Sequence, residues 1–382
     1  MIRLALRMLT GDRLKYLGLI AGMAFAAMMI AQQASIFVGL ASQTTTFVRE
    51  RAIVDLWVMD PQIKFSEDRQ PMRDTVLQLV RGVEGVEWAV PLYKDWLKVR
   101  LPDGTRTQAI VVGLDDATLV GAPSSMDAET LLRLRRDPGI LIDEKDAGTK
   151  LKLARAGDAP LAVGQRIAIN DNDAEVVGTY KSAPSFFWDP IVYTTYARAI
   201  KFAPKERNLM SFVMVRAKAG ADVETVRRAI EEATGQKAMT RAEFARITMS
   251  YILDSTGILV NFGMAVGLGF IVGMISTGQT FFNFTLDNLR YFASLKAMGA
   301  GSWLIIRMVL SQVLAVVGLS FGLGVGVAAV MGIAIRKSNL AFEMPWQVPA
   351  FTLLSLVVIG VLTGLLSIAK VLRLEPAVVF KS

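Results

Sequence analysis

The chain contains no cysteine and no histidine. The first absence removes disulfide frameworks and thiol nucleophiles, and the second removes histidine-based catalytic triads; together they remove every ordinary zinc site. A domain of a couple of hundred residues buries its core without disulfides, so the missing cysteine is compatible with an oxidising compartment and does not require one. The phosphate-cradling pattern G-x-x-x-x-G-K-[ST] is also missing. Gly299-Ala300-Gly301-Ser302 is Gly-rich but lacks the lysine and a preceding strand, so it reads as a helix stop. Charge, finally, is scarce inside the long apolar runs. They hold mild polar groups such as Gln32, Gln33, Asn261 and Gln279, with Asp254 and Arg307 near span ends. Proton or sodium coupling relies on buried intramembrane charge and is disfavoured.

What is present is four long apolar runs, 16–40, 255–284, 303–335 and 348–369. Each exceeds the roughly 20 residues needed to cross about 30 Å of hydrocarbon. The first follows a basic start, but it is longer than a signal-peptide core and Ala34-Ser35-Ile36 is a poor cleavage site, so a retained signal anchor is expected. Arg3, Arg7, Arg13, Lys15, Arg290, Lys296, Arg307, Lys370, Arg373 and Lys381 flank one side of the spans, and only Arg336 and Lys337 the other. By the positive-inside rule both termini and the 285–302 loop face the cytoplasm. The intervening 41–250 segment is then exported. It holds 30 Lys and Arg against 29 Asp and Glu, so almost all of the chain's net +8 lies on the membrane flanks. The basic balance points to membrane lipid of the cytoplasmic leaflet, not to nucleic acid.

The expected fold is a membrane protein with four transmembrane α-helices and a large α+β extracytoplasmic domain inserted between helices 1 and 2. In detail this gives an amphipathic N-terminal helix (1–15), the first span (16–40), the exported domain (41–250), a stalk with the second span (251–284), a cytoplasmic loop helix (285–302), the third span (303–335), a short outer loop (336–347), the fourth span (348–369) and a tail (370–382). Within the exported domain, 53–59 and 211–215 predict strands. Pro102-Asp103-Gly104 predicts a hairpin joining 97–100 to 107–113, and Asn170-Asp171-Asn172 another joining 166–169 to 175–180. The spacing of Val76, Leu79 and Val80 predicts a helix over 71–81. That of Val223, Val226 and Ile230 predicts one over 222–234, bracketed by Gly220 and Gly235. Thr240-Arg241-Ala242-Glu243 is a capping-box pattern. With no proline from 240 to 284, an unbroken stalk helix running into the second span is expected.

Small residues recur four apart in the spans: Gly263 and Gly267, Gly269 and Gly273, Gly318 and Gly322, Gly322 and Gly326, and Gly360 and Gly364. This spacing lets helix backbones approach closely, within one chain or across a homodimer seam. In the loop after the second span, Leu289, Phe292, Leu295 and Met298 repeat on one helical face and Gly299 ends it, which predicts a short amphipathic helix able to dock in a partner's groove. Phe186, Phe187 and Trp188, between Pro184 and Pro190, are either core or a contact for an adaptor, a substrate or lipid.

The stretch over 290–300, "RYFASLKAMGA", resembles the E-x-A-x-L-[RK]-A-[ML]-G-A signature of ABC transporter permeases of the MacB and FtsX type, and "LRLEPAVVFK" over 372–381 resembles their closing motif. Among these it is most similar to stand-alone DevC-like permeases, which resemble exporters of heterocyst glycolipid; Tyr291-Phe292 departs from the family's frequent Glu-Ile. The resemblance implies a bacterial inner (plasma) membrane protein with a MacB-like periplasmic core domain and an FtsX-like permease domain over 255–380. It also implies a cytoplasmic ABC ATPase dimer that binds ATP and Mg and contacts Leu289, Arg290, Phe292, Leu295, Lys296, Met298 and Gly299, together with a homodimeric permease. A periplasmic adaptor (membrane fusion protein) and an outer-membrane duct complete the implied assembly. ATP-driven closure would push the loop helix and the 2–14 helix, moving the outer domains and driving efflux of a lipid-like or amphiphilic substrate. A non-transporting transducer similar to FtsX, acting on a cell-wall hydrolase, is the alternative. An anchored enzyme built on Asp115-Asp116 or Asp143-Glu144 is disfavoured without histidine, so the chain is expected to be a non-catalytic subunit with no cofactor of its own.

Overall fold

The computed structural model describes residues 2–68, 70–123, 125–181, 186, 189–204, 209–335 and 341–372. The closing motif beyond Leu372, the pair Arg336 and Lys337, and Phe187 and Trp188 lie outside the described residues. The chain forms two units, Met1–Leu40 with Thr256–Ser382, and Ala41–Ser255.

The chain begins with α1 (Ile2–Gly11) and α2 (Arg13–Arg49). At 1.5 Å per residue, the 37 residues of α2 make a rod of about 55 Å, well beyond a bilayer core. Then come β1 (Leu56–Met59), α3 (Thr75–Arg81), β2 (Val86–Arg100), β3 (Arg106–Leu114), α4 (Ala128–Leu134), β4 (Gly139–Asp143), α5 (Glu144–Ala147), β5 (Arg166–Ile169), β6 (Asn172–Tyr180), β7 (Ile191–Thr195), α6 (Tyr196–Phe202), β8 (Phe212–Ala217), α7 (Val223–Thr234), β9 (Lys237–Thr240) and α8 (Arg241–Ser255).

The 15 residues of β2 serve two sheets. Its first half pairs with β8, from Val86↔Ala217 to Leu92↔Phe212, and completes an antiparallel set ordered β9-β1-β8-β2. With α3 and α7 as crossovers this is a βαββαβ unit, and the helices bury Val76, Val80, Val226 and Ile230 against Leu56, Val58, Val213 and Val215. Leu79 is half exposed: the register of α3 spends its buried face on Val76 and Val80, with Leu77 packed at the margin. The second half of β2 pairs with β3, from Tyr93↔Gly113 to Arg100↔Arg106, and its last two residues with β5. The order β2-β3-β7-β4-β6-β5 thereby closes on itself, which leaves this lobe without a free sheet edge along the ring.

Local chemistry fixes the corners. Asn170 and Asp171 both adopt positive φ, 44° and 63°, the two-residue turn that Ile169↔Asn172 pairing demands. Gly104, at φ 81°, closes the β2–β3 turn, and Asp103 Oδ1 accepts from Thr105 N at 2.9 Å. Asp222 caps α7 by accepting from Thr225 N at 3.1 Å, and these threonine hydrogen bonds hold its carboxyl below the usual range. The capping box at α8 is complete: Thr240 N donates to Glu243 Oε2 at 2.9 Å, and Glu243 N to Thr240 Oγ1 at 3.3 Å.

The expected unbroken stalk is corrected. α8 ends at Ser255 and α9 (Ile258–Asp287) begins after Gly257, which sits at φ 65° in the left-handed region. A positive φ cannot continue a right-handed helix, and glycine takes it without strain, so the absence of proline did not guarantee continuity. The chain continues through α10 (Leu289–Ala297), α11 (Ser302–Ile335) and α12 (Gln347–Leu372). Among the described residues four helices are long and apolar enough to cross a membrane: Arg13–Arg49, Ile258–Asp287, Ser302–Ala334 and Gln347–Ala369. Glycine brings several together. Gly324 lies against the backbone of Ala24 and the side chain of Ala27. A Cβ on Gly273 would meet Ala26 Cβ at 2.5 Å, and one on Gly360 would meet Val313 Cγ1 at 2.6 Å.

Candidate functional site

α10 is held at the foot of the membrane unit by its own apolar face. Asn288 ends α9 and precedes α10; its side-chain amide donates to Phe284 O at 2.9 Å, and its carbonyl accepts from Phe292 N at 3.2 Å, which turns the chain without leaving that carbonyl orphaned. Phe292 is fully buried in the cluster that includes Leu9, Phe281, Phe284, Ile305 and Val309. Leu295 packs with Ala5 of α1 and Met308 of α11. The helix stops at Gly299, φ 90°, where Ala300 N reaches back to Leu295 O at 2.9 Å and Gly299 N to Lys296 O at 3.0 Å. α1 is tied to the same place, since Gln312 Nε2 donates to Ala5 O at 2.8 Å. An ion pair between Lys15 and Asp287 joins the start of α2 to the end of α9.

The residues expected to meet a partner therefore divide. Phe292 and Leu295 are spent inside the bundle, Leu289 packs at its margin and Lys296 is half-buried. The physical reason is that a three-residue apolar repeat marks the face a helix buries, and here the nearest apolar surface is its own chain. The face left outside is Arg290, Tyr291, Ser294, Met298 and Gly299, with Met298 75% exposed.

The glycines divide as well. Gly269, Gly273, Gly360 and Gly364 touch neighbouring helices of the same chain, whereas Gly263, Gly267, Gly318, Gly322 and Gly326 have nothing within 4 Å of where a Cβ would stand. Phe186 is half-buried in a turn. Three carboxylates of the acidic pairs accept backbone N–H groups: Asp115 Oδ2 from Thr118 N at 2.9 Å and Asp143 Oδ1 from Lys145 N at 2.9 Å act locally, the latter capping α5, while Asp116 accepts from the distant Ala197 N at 3.3 Å. Among the described residues no group of three or more Asp and Glu could hold a metal.

A second arrangement escaped the sequence. Phe47, near the end of α2, lies within the core of the extracytoplasmic unit beside Trp57, whose ring also meets Phe212 and Phe244 at 5.8 and 5.5 Å. Two cations sit over the Phe47 ring, Lys94 Nζ at 3.5 Å and Arg51 Cζ at 3.9 Å from its centroid. Lys94 pairs with Glu67, both almost completely buried, and Arg51 donates to Tyr193 Oη at 3.0 Å and to the Phe47 carbonyl. Burial pushes the Lys94 ammonium down to about 8, against the opposing pull of Glu67. The only local sign is a lysine at position 94 directly after the apolar Ala-Val-Pro-Leu-Tyr run; its partners come from 27 and 47 residues away and no spacing rule connects them.

Comparison with known proteins places this architecture. Residues 16–233 match the MacB-like periplasmic core domain and residues 263–376 the FtsX-like permease C-terminal domain. The crystal structure of the extracellular domain of the noncanonic ABC-type transporter YknZ from Gram-positive bacteria is similar at 14% identity and TM-score 0.31, over 49% of this chain and 98% of that one. That of the periplasmic region of MacB from Actinobacillus actinomycetemcomitans is similar at 9% identity and TM-score 0.37, over 52% and 94%. No curated protein matches. Four membrane-crossing helices, an α+β extracytoplasmic domain between the first two, and two family matches spanning nearly the whole described chain lead to one assignment: this multi-pass membrane protein belongs to the MacB/FtsX-type permeases of ABC transporters, a family that implies an ABC ATPase partner.

Proposed function

We propose that the chain is the permease subunit of an exporter in which a separate cytoplasmic ATPase dimer, holding ATP and Mg, drives movement of the extracytoplasmic domain, with both termini in the cytoplasm. The observation that carries this is α10: a short helix locked by Phe292 and Leu295 to α1 and α11, with Arg290, Tyr291, Ser294 and Met298 turned outward. A push on that outward face reaches α1 and α11 through buried side chains already packed against one another, and close packing transmits displacement instead of absorbing it. α1 leads directly into α2, whose far end carries Phe47. Two copies would meet along the outward glycines Gly263, Gly267, Gly318 and Gly322, where backbones can approach with no side chain to move. The substrate is a lipid-like or amphiphilic molecule taken from outside the membrane and passed through a periplasmic adaptor and outer-membrane duct.

The test is photocrosslinking in native membranes from p-benzoylphenylalanine at Tyr291 and Met298, with Phe292 as the buried control. An ATPase captured from the two exposed positions, and an adaptor co-purifying with it, is the expected result. An ATPase captured together with a cell-wall hydrolase and no adaptor would mean a signalling transducer, and no ATPase from either position would overturn the proposal.

A further inference from the structure

The closed ring carries a cluster of cations that the coupling account does not use. β2 ends at Arg100 between β3 and β5, and the register sets Arg106 and Ala168 directly beside it. One row back, Lys98 stands between Gln108 and Asn170; Asn170 N donates to Lys98 O at 2.9 Å, and Lys98 N to Asn170 Oδ1 at 3.2 Å. Leu97, Val99 and Ile169, the alternate residues, face the core, so Lys98, Arg100 and Arg106 share the outer face. They line a depression of about 400 Å³, which the small Ala168 leaves open.

The cluster is short of counter-charge. Arg100 reaches Asp171 Oδ1 at 3.6 Å, an exposed contact worth little. Asp189 is engaged by Trp96 Nε1 at 2.9 Å and Gln108 Nε2 at 3.3 Å. Among the described residues Lys98 Nζ and the Arg106 guanidinium have no carboxylate within 4.0 Å. Two arginines directly opposite each other on antiparallel strands repel, an arrangement that costs stability unless an anion sits between them.

The geometry points to an anion-binding site that takes a phosphate-bearing group, clasped by the Arg100 and Arg106 guanidinium forks with Lys98 at the side. Two forks and an ammonium offer more donors than a single carboxylate can accept, and they match the oxygens of a phosphate monoester. The depression admits a headgroup and not a folded peptide. The phosphate chemistry stands on these residues; its source as the headgroup of a transported amphiphile rests on the proposed function.

Isothermal titration of the full chain in uncharged detergent tests it, with inorganic phosphate, dihexanoyl phosphatidic acid, dihexanoyl phosphatidylcholine and a hexaglutamate peptide as probes. Phosphatidic acid is expected to bind, at least tenfold more weakly in Arg100→Gln/Arg106→Gln and in 0.5 M NaCl. It should bind unchanged in Arg133→Gln, whose arginine is already paired with Glu129. The double variant should unfold at the same or a higher temperature, which separates lost binding from lost folding. Equal binding of inorganic phosphate supports the site and assigns it a soluble ligand. No phosphate compound binding, unchanged affinity in the double variant, or tighter binding of hexaglutamate would overturn it. Binding is read without the ATPase, so failure here leaves the permease reading standing, and failed coupling at α10 leaves this binding intact.

Discussion

The chain passes between its two units twice, and the two passages are built differently. α2 runs through residues 13–49 without a break and ends in a buried charge cluster around Phe47, whereas α8 and α9 are separated at Thr256-Gly257 by a left-handed residue. A continuous helix resists bending, and its last turns are fixed by side chains that lose much if displaced; a glycine at positive φ is the place where a helix pair changes direction most cheaply. On our account one passage transmits and the other yields.

The largest expected effect lies at the fixed end. Glu67→Gln removes the carboxylate facing buried Lys94 and should destabilise the extracytoplasmic unit by about 3–5 kcal/mol, measured by denaturant unfolding. Ser42→Pro, in the interior of α2, should cost about 3 kcal/mol of helix and abolish ATP-dependent export while leaving the β-sheet unit folded. Export surviving that substitution would remove the distinction between the passages.

The fixed end also titrates. Lys94 is held near 8 when folded and near its ordinary 10.5 when unfolded. Below pH 8 both states are protonated and the burial penalty is fully present; between 8 and 10.5 the unfolded chain binds more protons, so stability rises with pH, by about 1.4 kcal/mol per unit at most. The unfolding temperature of the extracytoplasmic unit should climb from pH 7.5 to 9.5, and Lys94→Met should flatten that rise. Smallest is Gly257→Ala, which places a Cβ in the left-handed region at a cost of about 1–2 kcal/mol and should slow export without stopping it.

Periodicity and turn chemistry carried most of this architecture. The four spans, both hairpins, α7 with Asp222 and Gly235 at its ends, and the Thr240–Glu243 box were visible because each is set by residues within a few positions of one another. What was not visible depends on distant partners. β4 and β7 are short buried strands whose identity comes from the ring they close, and the length of β2 comes from serving two sheets. The sequence marked the amphipathic loop helix but not which of its faces is free, because Phe292 and Leu295 find Ile305, Val309 and Met308 only after α11 folds back. The break at Gly257 has a different cause: glycine permits a positive φ without announcing it in the sequence.

The most direct test uses the absence of native cysteine, so that placed pairs are the only labels. Spin labels at Ala21→Cys with Arg49→Cys span α2, about 42 Å at 1.5 Å per residue, and those at Ser250→Cys with Met264→Cys straddle Gly257. Distances measured by double electron–electron resonance in the complex with its ATPase, before and after ATP, should stay fixed across α2 and change across Gly257. A changed α2 distance, or an unchanged one across Gly257, would contradict the account.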